Sequence, residues 1–214
     1  MIRNSLLFVL AIYLLGCNTK PSEVTMPYYT QADFTPRWIE GNTDTIHRVA
    51  DFALTNQDGQ TISNADLKGK IYVTNFFFTI CPTVCPRMTN NLQRIQEAFA
   101  QDVEVLLVSH SVMPWMDSVE VLKEYAMENN IDASKWHLLT GDKDLIYRLG
   151  RQSYFADEGF GKSVTDIDDF LHTENIVLVD EQQHIRGVYN GTLPLEMTRL
   201  IEDIHRLKQE TKKS

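Results

Sequence analysis

Apolar, aromatic and β-branched residues follow one another from Ile71 to Phe78, interrupted only by Asn75. This is the pattern of a central strand covered on both faces. Beyond Pro86 the spacing turns helical, with Met88, Leu92, Ile95 and Phe99 predicted to face a core. Val103 to Ser109 reads as a second strand, and the strand–helix–strand order makes it parallel to the first by a right-handed crossover. Asp117 or Ser118 can cap a further helix through about Glu128, with Val119, Leu122 and Ala126 turned inward. Trp136 to Thr140 predicts a short strand and Asp142 to Leu149 a short helix. Asn175–Asp180 and His184–Tyr189, joined through Glu181-Gln182-Gln183, read as a hairpin. An earlier hairpin spans about Val49 to Ile62 and turns at Asp58-Gly59. The last helix places Met197, Leu200, Ile201, Ile204 and Leu207 on one face. The order β–β–β–α–β–α–β–α–β–β–α predicts an α/β fold with a mixed central β-sheet flanked by helices. Thioredoxin-like is the economical choice.

The N-terminus has a different character. Arg3 is followed by an apolar stretch from Leu6, closed by Leu14-Leu15-Gly16-Cys17. This has the form of a lipoprotein signal, too short to span a bilayer as a mature helix. The expected organisation is a signal peptide at 1–16, a lipidated N-terminus and tether at 17–45, and one domain at 46–210. Lipidation of Cys17 also accounts for the odd third cysteine. Pro21, Pro27 and Pro36 mark the tether, from which Phe34 and Trp38 are expected to pack onto the domain. The implied location is the bacterial cell envelope, with the domain in the periplasm and held to the membrane by lipid. The net charge is −9, and loss of residues 1–16 removes one base (Arg3) and no acid, giving −10. That acidity argues against nucleic acid and suits cationic or metal-bearing partners.

Chemistry concentrates in Cys81-Pro82-Thr83-Val84-Cys85-Pro86, between the first buried strand and the helix that follows. A helix N-terminus offers unpaired N–H groups and a positive dipole end, which favour thiolate over thiol. Redox or soft-metal chemistry follows. The fold would bring three segments to one sheet edge: Cys81 and Cys85, then His110 to Met113 after the second strand, then Leu171-His172-Thr173 before the hairpin. Two sulfurs and the His172 imidazole suit copper, Cu(I) or Cu(II), and less distinctively zinc. His47, His137, His184 and His205 read as structural or solvated.

With these segments the chain resembles the Sco/SenC family of copper-binding, thioredoxin-fold proteins, from about Arg48 to Arg206. The resemblance rests on Asp51-Phe52-Ala53-Leu54-Thr55, Asp58-Gly59, the Cys81–Pro86 motif, Val119 to Ala126, and Leu171-His172-Thr173-Glu174. The 87-residue separation from Cys85 to His172 (172 − 85) fits the family's ligand arrangement. The resemblance implies a copper metallochaperone with Cys81, Cys85 and His172 as ligands, assisting the binuclear copper A site of cytochrome c oxidase. Its partners would be the copper A subunit, and other copper chaperones or thiol reductants. One departure stands out: the family's usual Val-Asp-Pro is Val112-Met113-Pro114 here. With Met113 and His110 bordering the metal, loss of that acid should favour Cu(I); Met113 and Met116 could offer thioethers, but a loop or core role is the preferred reading of both. The alternative function is a thiol–disulfide oxidoreductase acting on the cysteines of a copper protein, with Cys81 and Cys85 catalytic. A cysteine peroxidase would need a cationic partner, for which Arg87 is the nearby candidate.

Overall fold

The computed structural model describes residues 25–156 and 173–211; Cys17 and His172 lie outside them. Among the described residues nine strands share one sheet: β1 (Tyr28–Tyr29), β2 (Pro36–Arg37), β3 (Ala53–Asn56), β4 (Thr61–Ser63), β5 (Ile71–Phe77), β6 (Val105–Ser111), β7 (Trp136–Thr140), β8 (Asn175–Val179) and β9 (Ile185–Asn190). Their spatial order is β2-β1-β9-β8-β5-β6-β7-β3-β4. β5, β6 and β7 run parallel, while β8 is antiparallel to β5. The helices are α1 (Asn64–Leu67), α2 (Val84–Ala98), α3 (Val119–Glu128), α4 (Lys143–Arg148) and α5 (Pro194–Thr211), with a π-type turn at Leu149–Ser153 continuing α4. The mixed thioredoxin-like α/β sandwich expected from the periodicity is therefore present.

Side chains alternate along β5. Ile71, Val73 and Phe77 join a core with Met88, Leu92 and Ile95 of α2, Leu122 of α3, and Met197, Leu200 and Ile204 of α5. Tyr72 and Phe76 point to the other face, with Leu67, Ile146, Tyr147 and Tyr154. Burial on both faces explains why β5 has no polar stripe. Ser118 caps α3 by accepting from the Val121 N–H (3.4 Å), and Asp142 caps α4 by accepting from Leu145 (2.7 Å). The β3–β4 turn needs a left-handed residue, supplied by Gly59 at φ +74°.

Two differences bear on function. β6 spans Val105–Ser111, starting and ending two residues later than expected, and Val103 is 74% exposed. His110 is thus inside the strand, where alternation fixes its face. Residues 28–37, expected within a tether, instead add β1 and β2 to the sheet, with Tyr29 paired to Ile185. The Arg186 guanidinium donates to the carbonyls of Met26 (2.8 Å) and Pro27 (3.2 Å) and lies 4.1 Å from the Tyr28 ring centroid. Phe34 packs edge-on to Tyr29 and Phe155, whereas Trp38 stays 58% exposed and donates to the Thr25 carbonyl. This anchorage meets the sheet at the start of β9, the end opposite the cysteine motif. Among the described residues no helix is long and apolar enough to cross a membrane.

Candidate functional site

Five residues, 78–82, separate the end of β5 from Thr83, the N-cap of α2, and within them Phe78-Thr79-Ile80-Cys81 forms a turn closed by the Cys81 N–H on the Phe78 carbonyl (3.3 Å). Pro86 fits the first turn of α2 because its missing N–H has no intrahelical partner to lose. Cys85 sits in that turn, and its N–H points at Cys81 Sγ (3.4 Å). Both thiols are free, and both are nearly buried, at 9% and 6% exposure.

The two sulfurs are chemically unequal. Burial alone would raise the Cys81 thiol, but the N–H groups of Cys85, Thr83 and Val84, with the Cys85 thiol, together bring it below its ordinary value. Burial pushes Cys85 up to about 12, helped by the charges of Cys81 and Asp117 and opposed by a backbone contact at Phe78. Cys81 is accordingly the more reactive sulfur, and Cys85 holds its proton until something displaces it.

Because β8 is antiparallel to β5, its leading end lies at the C-terminal end of β5, with buried Thr173 just before it. A hydrogen-bonded relay ties this end to α2. The Gly191 N–H donates to the Glu174 carbonyl (2.7 Å), Asn91 donates to the Gly191 carbonyl (2.8 Å), and Thr192 and Asn190 donate to the Glu174 carboxylate (3.3 and 2.8 Å). Arg87, considered above as a thiolate activator, donates to the Thr192 carbonyl (3.4 Å) in the same relay. Among the described residues no three His, Cys, Asp or Glu side chains gather as a metal group.

His110 does not border the cysteines, contrary to expectation. It projects from the opposite sheet face, fully buried between Phe76 (stacked, 5.1 Å), Phe52 and Tyr154 (both 5.5 Å). Neither ring nitrogen has a hydrogen-bond partner, and burial lowers its pKa to about 3, so the ring is neutral. Met113 likewise packs against that second core, and Met116 is 49% exposed. The other described histidines have ordinary structural contacts. His47 meets the Ser153 carbonyl (2.7 Å), His137 faces Asn56, His184 pairs with buried Asp180, and His205 packs on Phe99.

Sequence inspection missed Asp117 and Tyr125 as neighbours of the thiols. Asp117 is fully buried and accepts from Thr79, two residues before Cys81. Tyr125 packs on Phe77 (5.5 Å) and shares a hydrogen bond with Thr89 of α2 (2.8 Å). No local spacing marks either residue, since both reach the site through the sheet.

A family model described as SCO1/SenC matches residues 40–209. The SCO1 protein homolog of Bacillus subtilis strain 168 is 30% identical over 162 residues, covering 74% of this chain and 81% of the relative. A SCO1/SenC family lipoprotein from Bacillus anthracis str. Ames superposes with a TM-score of 0.65 at 31% identity, over 76% of this chain and 95% of that one. Arabidopsis thaliana ScoI, solved with copper bound, gives a TM-score of 0.56 at 25% identity, over 73% of this chain and 98% of that one.

Proposed function

The chain belongs to the SCO1/SenC family, and from that premise we propose that it is a copper metallochaperone in cytochrome c oxidase assembly, serving the copper A site. Cys81, Cys85 and His172 are its ligands in this proposal. The observation that carries it is the pair of free thiols at one sheet edge, with the Cys85 N–H on Cys81 Sγ at 3.4 Å. Two thiolates form a soft donor set that suits Cu(I), and an added imidazole would extend it to Cu(II). Support for His172 comes from its neighbour Thr173 at the leading end of β8 and from the relay joining Glu174 to α2. The copper-bound ScoI relative supports the choice of metal.

Copper is cargo here, and this chain's residues supply its hold and its release. Cys81 is the natural first sulfur to engage, because backbone N–H groups favour its thiolate. Cys85 must surrender its proton as the metal arrives, which couples loading to proton release. A site at a sheet edge permits stepwise ligand exchange with an incoming partner. Lipidation of Cys17 after removal of residues 1–16, a domain from residue 46 and a periplasmic setting complete the proposal; the lipoprotein relative supports the anchor.

A second reading, thiol–disulfide exchange with the cysteines of a copper protein, is favoured by the inequality of the two sulfurs. An attacking thiol with its pKa nearer ambient pH beside a protonated partner is the arrangement such exchange uses. The deciding experiment is copper titration of the reduced protein and of Cys81→Ser, Cys85→Ser and His172→Ala. One copper per chain is expected, with either serine variant losing Cu(I) retention and His172→Ala losing chiefly the Cu(II) spectrum. Unchanged stoichiometry and spectra in all three would reject the ligand set.

A further inference from the structure

We infer that Asp117 is a positioning residue for the thiol pair, clamping the turn before Cys81 in the arrangement of the reduced state. This rests on Cys81 and Cys85 being the working groups. The carboxylate is completely buried on the loop between β6 and α3. Its Oδ1 accepts from Thr79 Oγ1 (2.6 Å), and its Oδ2 accepts from the Thr79 N–H (3.3 Å) and Ser111 Oγ (2.5 Å). All three are neutral donors aimed at an acceptor-only group. Burying a carboxylate is costly without such bonds, and hydrogen bonds to a charged acceptor are the stronger kind.

The clamp is itself held. The Asp117 N–H donates to the Met113 carbonyl (2.9 Å), closing its loop, and the Met113 N–H donates to Ser111 Oγ (3.1 Å). The end of β6, the loop after it and the thiol turn thus meet at one carboxylate. Asp117 has no capping duty, because Ser118 caps α3. From Thr79 the chain passes through Ile80 to Cys81, whose sulfur receives the Cys85 N–H. Fixing Thr79 therefore fixes where Cys81 Sγ lies relative to Cys85.

A disulfide demands a sulfur separation near 2 Å and a particular torsion, which the two free thiols do not meet, and in this proposal the turn shifts as the bond forms. Contacts made by Asp117 to the turn of the reduced state then favour the dithiol. Asparagine at 117 would present an NH2 group to at least one of the three donors. The Cys81–Cys85 pair should become easier to oxidise.

The test is equilibration of the full chain, without copper, against glutathione buffers. Cys81 and Cys85 lose two electrons and two protons and form one S–S bond. Oxidised glutathione gains them, its own S–S bond breaking to give two thiols. Asp117→Asn should move the equilibrium toward the protein disulfide by about tenfold, roughly 30 mV for a two-electron couple. Thr79→Val should move it the same way by less, and Thr79→Ser should restore the wild-type value. Asp203→Asn, which removes a buried acid bonded to Tyr189 (2.9 Å), controls for lost stability and should lower the melting temperature without moving the equilibrium. If Asp117→Asn fails to fold, the two Thr79 variants decide. Overturning outcomes are an unmoved equilibrium in Asp117→Asn or Thr79→Val, no restoration by Thr79→Ser, or an equal shift in Asp203→Asn. Because no copper is present, these results stand apart from success or failure of the ligand set.

Discussion

Alkylation should separate the two cysteines cleanly at pH 8. A Cys85 thiol at about 12 leaves on the order of one part in ten thousand as thiolate there. Cys81, held below its ordinary value of 9.0, is at least about a tenth ionised. The thiolate populations therefore differ roughly a thousandfold. A less basic thiolate is also a weaker nucleophile, and a Brønsted slope of about 0.4–0.5 over three units returns a factor of about 15–30. The net expectation is that Cys81 reacts about thirtyfold faster or more. Access does not reverse it, since both sulfurs are nearly buried, at 9% and 6% exposure. The assay is a timed reaction of the reduced protein with iodoacetamide. Cleavage after Lys70 and Arg87 leaves both cysteines on peptide 71–87, and fragment ions between them assign the label. Cys81→Ser should leave Cys85 slow, because burial is the largest cause of its shift. Equal rates, or labelling of Cys85 first, would refute the assignment of Cys81 as the leading sulfur.

Two further outcomes follow from the opposite sheet face. His110→Phe should be neutral or stabilising by about 1–3 kcal/mol in urea, because both ring nitrogens are buried without partners. Its titration adds a signature. A folded pKa near 3 lies below the unfolded value of 6.5, so the unfolded chain binds the extra proton and stability falls as pH drops. The wild type should lose about 1.4 kcal/mol per pH unit from this residue between pH 6.5 and 3, and the variant should lack that component; identical pH profiles would contradict it. Met113→Asp should lower the melting temperature through a charge placed against the second core, while the ratio of Cu(I) to Cu(II) affinity stays as in the wild type. A shift of that ratio toward Cu(II) at unchanged stability would restore the electrostatic role expected from the sequence.

Much of the architecture was legible along the chain because its signals are local. The unbroken apolar run at Ile71–Phe78 marks β5 as covered on both faces, the four-residue rhythm from Met88 to Phe99 marks α2, and Asp58-Gly59 marks the first hairpin. Strand–helix–strand order then makes β5 and β6 parallel and carries the Cys81–Cys85 motif to their C-terminal edge. The tertiary structure decided which side chains surround the motif. β6 ends two residues later than its apolar run suggests, and with a side-chain period of two its extension through Ser111 assigns His110 to the far face. Residues 28–37 contain no strand-length pattern, and they join the sheet because β9 offers an edge and Arg186 holds the carbonyls of Met26 and Pro27 just before them. Position 113, where the family resemblance implied an acid, holds Met, and the buried acid of this loop is Asp117. That residue reads locally as a helix cap, and it reaches Thr79 only because parallel pairing sets Phe77 beside Ser111. Periodicity fixes elements and faces through nearest-neighbour geometry, whereas contacts between loops at a sheet edge depend on register, which no single segment encodes.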